Sequence, residues 1–525
     1  MLTKTSLLAG CLALALALAG CGGDKSNSAR ETPKTFILAR GSDAQKLDPA
    51  DVDDGESVNA LAQICEGLLR FKPGTLELEP WLAESFESSE DGLSHTFKLR
   101  EGVQFHDGTP LTAETAAFSF RRQLDPSHPA HLATASFVYW NYLYNDIEAV
   151  EVVDPMTLRF RLKQPNATIL YSLAIFPAWL ISPNTPPAEI PSKPVGTGPY
   201  VFDHWEKDQA ISLRRNEEYW AYPPHFDRVV LNTIPENTVR RLALTSGAVS
   251  AIDGVQPAEA ETVAQDPLFK LYRGPSMNVG YLAIQTENPK FADPEIRRAL
   301  AMAIDREALV KLALDGAALP ASYPIPPGFL GEPKGEDPPF TYDPAAAKAI
   351  LTQYPEFTQE PIVLSTLSDS RPYFPDPQRV ASLIRSDWEA IGLQVEIETR
   401  DFKSHLQTLR NGDYECGLIG WIGDNGDPDN FLATFFHSRA AVKGSATNFA
   451  FYQNPKMDEL LDEARRVSNT AERAKLYNAA LAEWSRDLPI IPLVHAEQMV
   501  LMRAEFTGFT LSPTGNIFLG PVKAK

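Results

Sequence analysis

The stretch Thr96-Phe97-Lys98-Leu99-Arg100-Glu101-Gly102-Val103-Gln104-Phe105-His106-Asp107-Gly108-Thr109-Pro110-Leu111-Thr112-Ala113-Glu114 holds a strand and a helix start in one short run. Thr96 to Leu99 alternates polar and apolar residues at the two-residue period of a half-buried strand. Thr112 then precedes Ala113 and Glu114, and a threonine cap followed by an early acidic residue marks a helix N-terminus. A chain that switches between these periods mixes strands and helices, and the flanking sequence agrees. Phe36 to Ala39 reads as a strand. Ser57 to Leu69 reads as a helix with Leu61, Ile64, Cys65 and Leu68 on one face. Met156 to Leu162 reads as a strand bounded by Asp154-Pro155 and Gln164-Pro165. Asn454-Pro455 opens a helix carrying Met457, Leu460, Leu461 and Ala464, and Thr470 opens another that runs through Trp484. The sequence has no internal repeat.

With 525 residues the chain exceeds what one hydrophobic core usually supports, so two or more domains are expected. Apolar residues make up 44% and aromatics 10%, enough for large cores. A formal net charge of -20 argues against nucleic acid and against docking of the protein body on anionic lipid. At the N-terminus, Lys4 precedes an apolar run from Leu7 to Leu18 that ends in Leu18-Ala19-Gly20-Cys21. This resembles a bacterial lipoprotein signal, too short for a comfortable membrane span. Residues 1–20 are therefore expected to be removed, Cys21 to be lipidated, and residues 21–33 to act as a tether holding the protein in the periplasm or cell envelope. Cys65 and Cys416, far apart in the chain, are expected to be buried free thiols, Cys65 in a helix and Cys416 in a strand.

The run Gly420-Trp421-Ile422-Gly423-Asp424-Asn425-Gly426-Asp427-Pro428-Asp429-Asn430-Phe431 follows an apolar strand, Tyr414 to Ile419, and packs a carboxylate, a flat aromatic and turn glycines together. Upstream, Ser370-Arg371-Pro372-Tyr373-Phe374-Pro375 sets a guanidinium and a phenol on a proline-stiffened turn. A free peptide needs such a pair, a carboxylate for its ammonium and a bidentate arginine for its own carboxylate. Other signals are weaker. Gly196-Thr197-Gly198 lacks the Gly-Lys-Ser/Thr of a phosphate loop and reads as a structural turn. His128-Pro129-Ala130-His131 lacks the carboxylate spacing of a metalloprotease helix. Asn425, Asp427 and Asp429 alternate as in a calcium loop but lack the glycine and distal glutamate. There is no Gly-x-Ser-x-Gly elbow and no His-Glu-x-x-His, so an exported hydrolase is the weaker reading. No catalytic residue, cofactor or metal is expected.

The run from Ser89 to Glu114 resembles the signature of the family 5 extracellular solute-binding proteins, which serve ABC importers of peptides, nickel and related solutes. Val195 to Tyr200, Met277 to Leu282, Arg297-Arg298-Ala299-Leu300 with Ile304-Asp305, and Leu488 to Leu493 extend the likeness over nearly the whole mature chain. Within the family, the Asp424 loop and the Arg371 turn are most similar to the dipeptide-binding branch, while other branches bind haem or glutathione. The resemblance implies an α/β, two-lobed periplasmic-binding-protein fold (type II, cluster C) with an extra domain and a hinge between lobes. It places domain I at 34–57, 192–276 and 497–525, the extra domain II at 58–191 and domain III at 277–496, with crossings near Gly274 to Asn278 and His495 to Val500. It implies that Asp424 takes a peptide ammonium and Arg371 the C-terminal carboxylate, that Tyr373 and Trp421 line the cavity, and that backbone near Gly423 and Gly55 pairs with the ligand as an added strand. Two fixed charges would set ligand length, since each extended residue adds about 3.3 Å. The expected partners are a dipeptide or short peptide and an ABC permease, and the protein is expected to be a monomer. One departure is the acidic run Asp51-Val52-Asp53-Asp54 beside Gly55, in which Asp53 brings negative charge to the first-lobe contact.

Overall fold

The computed structural model describes residues 34–334 and 338–525. The expected signal, tether and Cys21 lie outside the described residues.

The signature stretch folds as its pattern requires. The strand Ser94–Leu99 buries Phe97 and Leu99 and exposes Lys98. Thr112 caps the helix Ala113–Leu124 in a reciprocal arrangement with Thr115. Between them, Gly102 and Gly108 take positive φ of 78° and 82°, which glycine adopts without the steric penalty of a Cβ. The strand joins an antiparallel sheet of four, in the order Ala83–Ser88, Ser94–Leu99, Thr157–Leu162 and Ile147–Asp154. The turn is tied down as well. His106 donates its backbone N–H to Gly196 O at 2.8 Å, and Asp107 accepts from the Ser182 hydroxyl at 2.6 Å.

The helix expected over Ser57 to Leu69 is shorter, Gly55–Leu61, so Cys65 lies beyond its end rather than in it. The carbonyls that would continue the helix are used elsewhere. Gln63 O accepts from Tyr200 N at 3.0 Å and Ile64 O from Gly198 N at 2.9 Å. A Cβ on Gly196 would come within 2.0 Å of Ile64 O, and one on Gly198 within 2.7 Å of Gln63 O. The Gly196-Thr197-Gly198 turn is therefore a close-packing device against this segment. Cys65 and Cys416 are both buried free thiols, and Cys416 opens the strand Cys416–Ile422.

Most remaining strands form one 12-stranded sheet. Its central member is Ile490–Arg503, 14 residues long and mostly buried. The first half of this strand pairs antiparallel with Asn278–Ile284, which continues outward to Cys416–Ile422, Ile362–Leu367 and Val395–Arg400. Pro492, which has no N–H to donate, falls where the register shifts at a bulge between Gly280 and Tyr281. The second half pairs with Phe269–Pro275 and Ala251–Asp253, and from there the sheet runs to Thr35–Arg40, Arg228–Thr233, Ala210–Arg215 and Tyr200–Glu206. Two lobes thus hang from one strand. The largest buried core has all of its fully buried members between Met277 and Ala496, whereas the other lobe draws its cores from both ends of the chain.

The segments that cross between lobes lie side by side. Gly274 faces Gln498, and Pro275 faces Glu497. Asn278, 2% exposed, donates from Nδ2 to Ala496 O at 2.8 Å and accepts from Ala496 N at Oδ1, 2.9 Å. His495 donates from Nδ1 to Asn278 O at 2.7 Å, and burial lowers its imidazole pKa to about 4, so it stays neutral.

Candidate functional site

Asp424 sits just past the strand Cys416–Ile422, half-buried, and its local frame is built by Asn430. Asn430 Oδ1 accepts from Asp424 N at 2.9 Å and from Trp421 Nε1 at 3.2 Å, while Asn430 Nδ2 donates to Asp424 Oδ2 at 3.1 Å. Asp424 Oδ1 accepts from the hydroxyl of Tyr139 at 2.8 Å. Burial raises the carboxyl above its ordinary range, against the opposing pull of the bonds from Tyr139 and Asn430. Among the described residues, Asp424 has no ion-pair partner.

The Arg371 turn is seated on two glycines. Gly280 and Gly420 face each other across adjacent strands, and their missing side chains leave a dent. A Cβ on Gly420 would lie 2.3 Å from the Tyr373 ring, and one on Gly280 would lie 2.5 Å from Phe374. Backbone bonds of 3.0 Å in both directions between Arg371 and Phe374 close the turn. The guanidinium of Arg371 lies 4.2 Å over the Phe402 ring, its Nε is buried without a hydrogen-bond partner, and among the described residues it makes no salt bridge. Tyr373 is 2% exposed, so it supports the turn from within the core, and its hydroxyl pKa is raised by burial with Arg371 pulling the other way. Because Tyr373 covers Gly420, four positions before Asp424, the cation and the anion are mounted on adjoining parts of the same lobe.

The other expected contacts are placed differently. Gly423 N–H already donates to Met277 O, at 2.6 Å, and the residue packs against Phe431, so its N–H is engaged within the protein. Gly55 is the exposed first residue of the helix Gly55–Leu61, with open space where a Cβ would be. The acidic run beside it divides by role. Asp51 pairs with Lys46 at 2.5 Å and accepts from Ser136, and Asp54 caps the helix through Ser57 N; Asp53 is exposed. The alternating Asn425, Asp427 and Asp429 are engaged in protein contacts. Asp427 pairs with Arg473 at 2.7 Å and accepts from the Tyr477 hydroxyl at 2.9 Å, and Asp429 pairs with Arg465.

Tyr139 was not visible in the sequence as a site residue. It belongs to the helix Val138–Leu143 and reaches Asp424 across 285 positions of chain. Two more contacts join the same two lobes nearby: Asn425 Nδ2 donates to Ser172 Oγ at 3.3 Å, and Ala167 N donates to Arg465 O at 2.7 Å. The lobes therefore meet around the Asp424 loop. No helix among the described residues is long and apolar enough to cross a membrane.

Residues 77–443 match the middle region of the bacterial extracellular solute-binding proteins, family 5. The chain belongs to that family. It is 34% identical to haem-binding protein A of Haemophilus influenzae, covering 96% of both chains, and 31% identical to the dipeptide-binding protein of Escherichia coli, covering 92% of this chain and 93% of the relative. The structure of HbpA2 from Haemophilus parasuis superposes with a TM-score of 0.86 at 30% identity, covering 94% of this chain and 100% of that one. This solute-binding protein thus shares the two-lobed binding-protein fold, and its relatives bind substrates rather than turn them over.

Proposed function

We propose that this solute-binding protein captures dipeptides, and short peptides more generally, between its two lobes and delivers them to an ABC permease in the cytoplasmic membrane. The observation that carries the reading is a pair of opposite charges on one lobe, Asp424 and Arg371, neither of which has an ion-pair partner among the described residues. A zwitterion completes both. Its ammonium neutralises Asp424, where Tyr139 brings the opposite lobe onto the same carboxylate, and its carboxylate meets the Arg371 guanidinium. Closure then follows from contacts that exist only when both lobes hold the ligand. Domain I at 34–57, 192–276 and 497–525, domain II at 58–191 and domain III at 277–496 is the division we adopt, supported by the separate core between Met277 and Ala496.

The relatives' names divide between haem and peptides. Haem presents carboxylates and no ammonium, which leaves Asp424 without a counter-charge, so the geometry favours the peptide. Calorimetric titration of ligand-stripped protein with dipeptides, their N-acetyl and amidated forms, tripeptides, glutathione and haem tests this. Dipeptide binding that disappears when either terminus is blocked is the expected result. Silence with dipeptides alongside a haem absorbance band, or binding of glutathione alone, would replace this reading with that of a haem or glutathione carrier.

We also read Cys21 as a lipid anchor and the protein as a monomer, held at the cell envelope by its acyl chains alone. Cys21→Ser should move the protein from the detergent phase to the aqueous phase and leave ligand binding intact. Equal partitioning of the two proteins would exclude the anchor.

A further inference from the structure

A cavity of about 230 Å³ lies in the other lobe, bounded by the strand Leu69–Phe71 and the turn that follows it, the segment from Ala174 to Trp179, and the loop from Gly508 to Pro521. Its walls include Phe71, Trp81, Trp179, Tyr219, Tyr222 and Phe518. Glu66, 7% exposed, is also part of the lining. Its carboxylate is surrounded by neutral donors. Oε1 accepts from Trp81 Nε1 at 2.6 Å and from the Tyr219 hydroxyl at 2.6 Å; Oε2 accepts from the Thr197 hydroxyl at 2.7 Å and from Trp220 Nε1 at 3.1 Å. Among the described residues Glu66 forms no salt bridge; burial raises its pKa, and the four donated hydrogen bonds oppose that by favouring the ionised form.

The cations nearby are committed elsewhere. Arg70 pairs with Glu79 at 2.7 Å, and Lys72 with Glu77 at 2.7 Å. Arg70 also places its guanidinium 3.1 Å from the centroid of Trp81, so one wall already serves as a platform for a cation. A buried carboxylate without a counter-cation, enclosed by aromatic faces, favours a positively charged occupant through both the Coulomb term and the ring quadrupoles.

We propose that this cavity is a binding site for an alkylammonium or guanidinium group, held against the aromatic walls with the charge of Glu66 behind them. That chemistry has two sources, a free organic cation or the side chain of a bound Lys- or Arg-containing peptide. The loop and the hairpin turn that flank the cavity also touch the Asp424 segment: Met277 N donates to Pro513 O at 3.0 Å, Met277 O accepts from Gly423, and a Cβ on Gly426 would lie 3.0 Å from Leu76 in that turn.

The test is calorimetric titration of the purified full chain with agmatine, tetramethylammonium, and dipeptides with and without Lys or Arg, alongside four variants. Glu66→Gln and Phe518→Ala should each weaken cation binding by about tenfold or more, and Arg70→Gln, which removes a competing cation, should strengthen it. Phe518 is 40% exposed, so its variant tests the site even if Glu66→Gln fails to fold. Agmatine binding that persists in Asp424→Asn identifies a site for free cations. A Lys/Arg preference among dipeptides that is lost in Phe518→Ala, with neutral dipeptides unaffected, identifies a side-chain pocket. Absence of saturable agmatine binding together with no Lys/Arg preference overturns the proposal, as does the opposite sign for the Glu66 and Arg70 variants. Neutral dipeptides binding normally in those cases would leave the peptide reading standing.

Discussion

On the proposed reading Asp424 meets the ammonium of the ligand and Arg371 its carboxylate. Removing either strands a charge of the bound peptide, so Asp424→Ala or Arg371→Ala should cost about 2–5 kcal/mol, roughly 30-fold to several thousand-fold in dipeptide affinity by titration. The raised carboxyl of Asp424 also sets a pH dependence. A group that holds its proton more tightly when folded stabilises the empty protein at acid pH and loses that contribution as pH rises through its folded pKa. Binding runs the other way, because the ammonium needs the ionised form. Peptide affinity should therefore fall on acidification, beginning above the range of an exposed aspartate, and the stability of the empty protein should vary less with pH in Asp424→Asn than in wild type. Titrations and thermal melts across pH read both. The sequence puts Asp424 and Arg371 forward because each lies in a short motif with its turn residues beside it. It does not put Tyr139 forward, because only the folded chain brings that hydroxyl to Asp424 from the other lobe.

The elements that read well from sequence are those whose ends are local chemistry. Thr112, Asn454 and Asn469 cap their helices through their own side chains, and Met457, Leu460, Leu461 and Ala464 form the buried face expected of the helix Pro455–Arg466. The helix after Gly55 was overextended because what ends it is distant: the segment around Gly198 takes the Gln63 and Ile64 carbonyls. Periodicity carries no trace of such competition. The facing glycines under the Arg371 turn are a similar case, since each looks like an ordinary strand residue until both rings are placed. Gly420→Ala puts a methyl against Tyr373 and should destabilise the protein by about 1–3 kcal/mol through overpacking. It should also weaken dipeptide binding by shifting Arg371. A variant with wild-type melting temperature and affinity would remove Tyr373 as the support of the clamp.

At the scale of the molecule, the two-lobed plan was legible through resemblance, whereas the way the lobes are joined was visible only in the strand pairings. Asn278 holds the crossing segments together from a buried position. Asn278→Ala leaves the N–H and C=O of Ala496 without their partner, at about 1–3 kcal/mol for each unpaired group, and should broaden the range of lobe orientations seen by small-angle scattering of the empty protein. Unchanged scattering and stability would show that the crossing is held elsewhere. The strand Ile490–Arg503 has a further consequence, for the order of assembly. It is the last strand of the large sheet in chain order, yet it fills the middle, with Asn278–Ile284 on one side and Phe269–Pro275 and Ala251–Asp253 on the other. Every earlier strand of that sheet emerges from the ribosome with its centre missing. Neither lobe can complete its sheet until this last strand arrives.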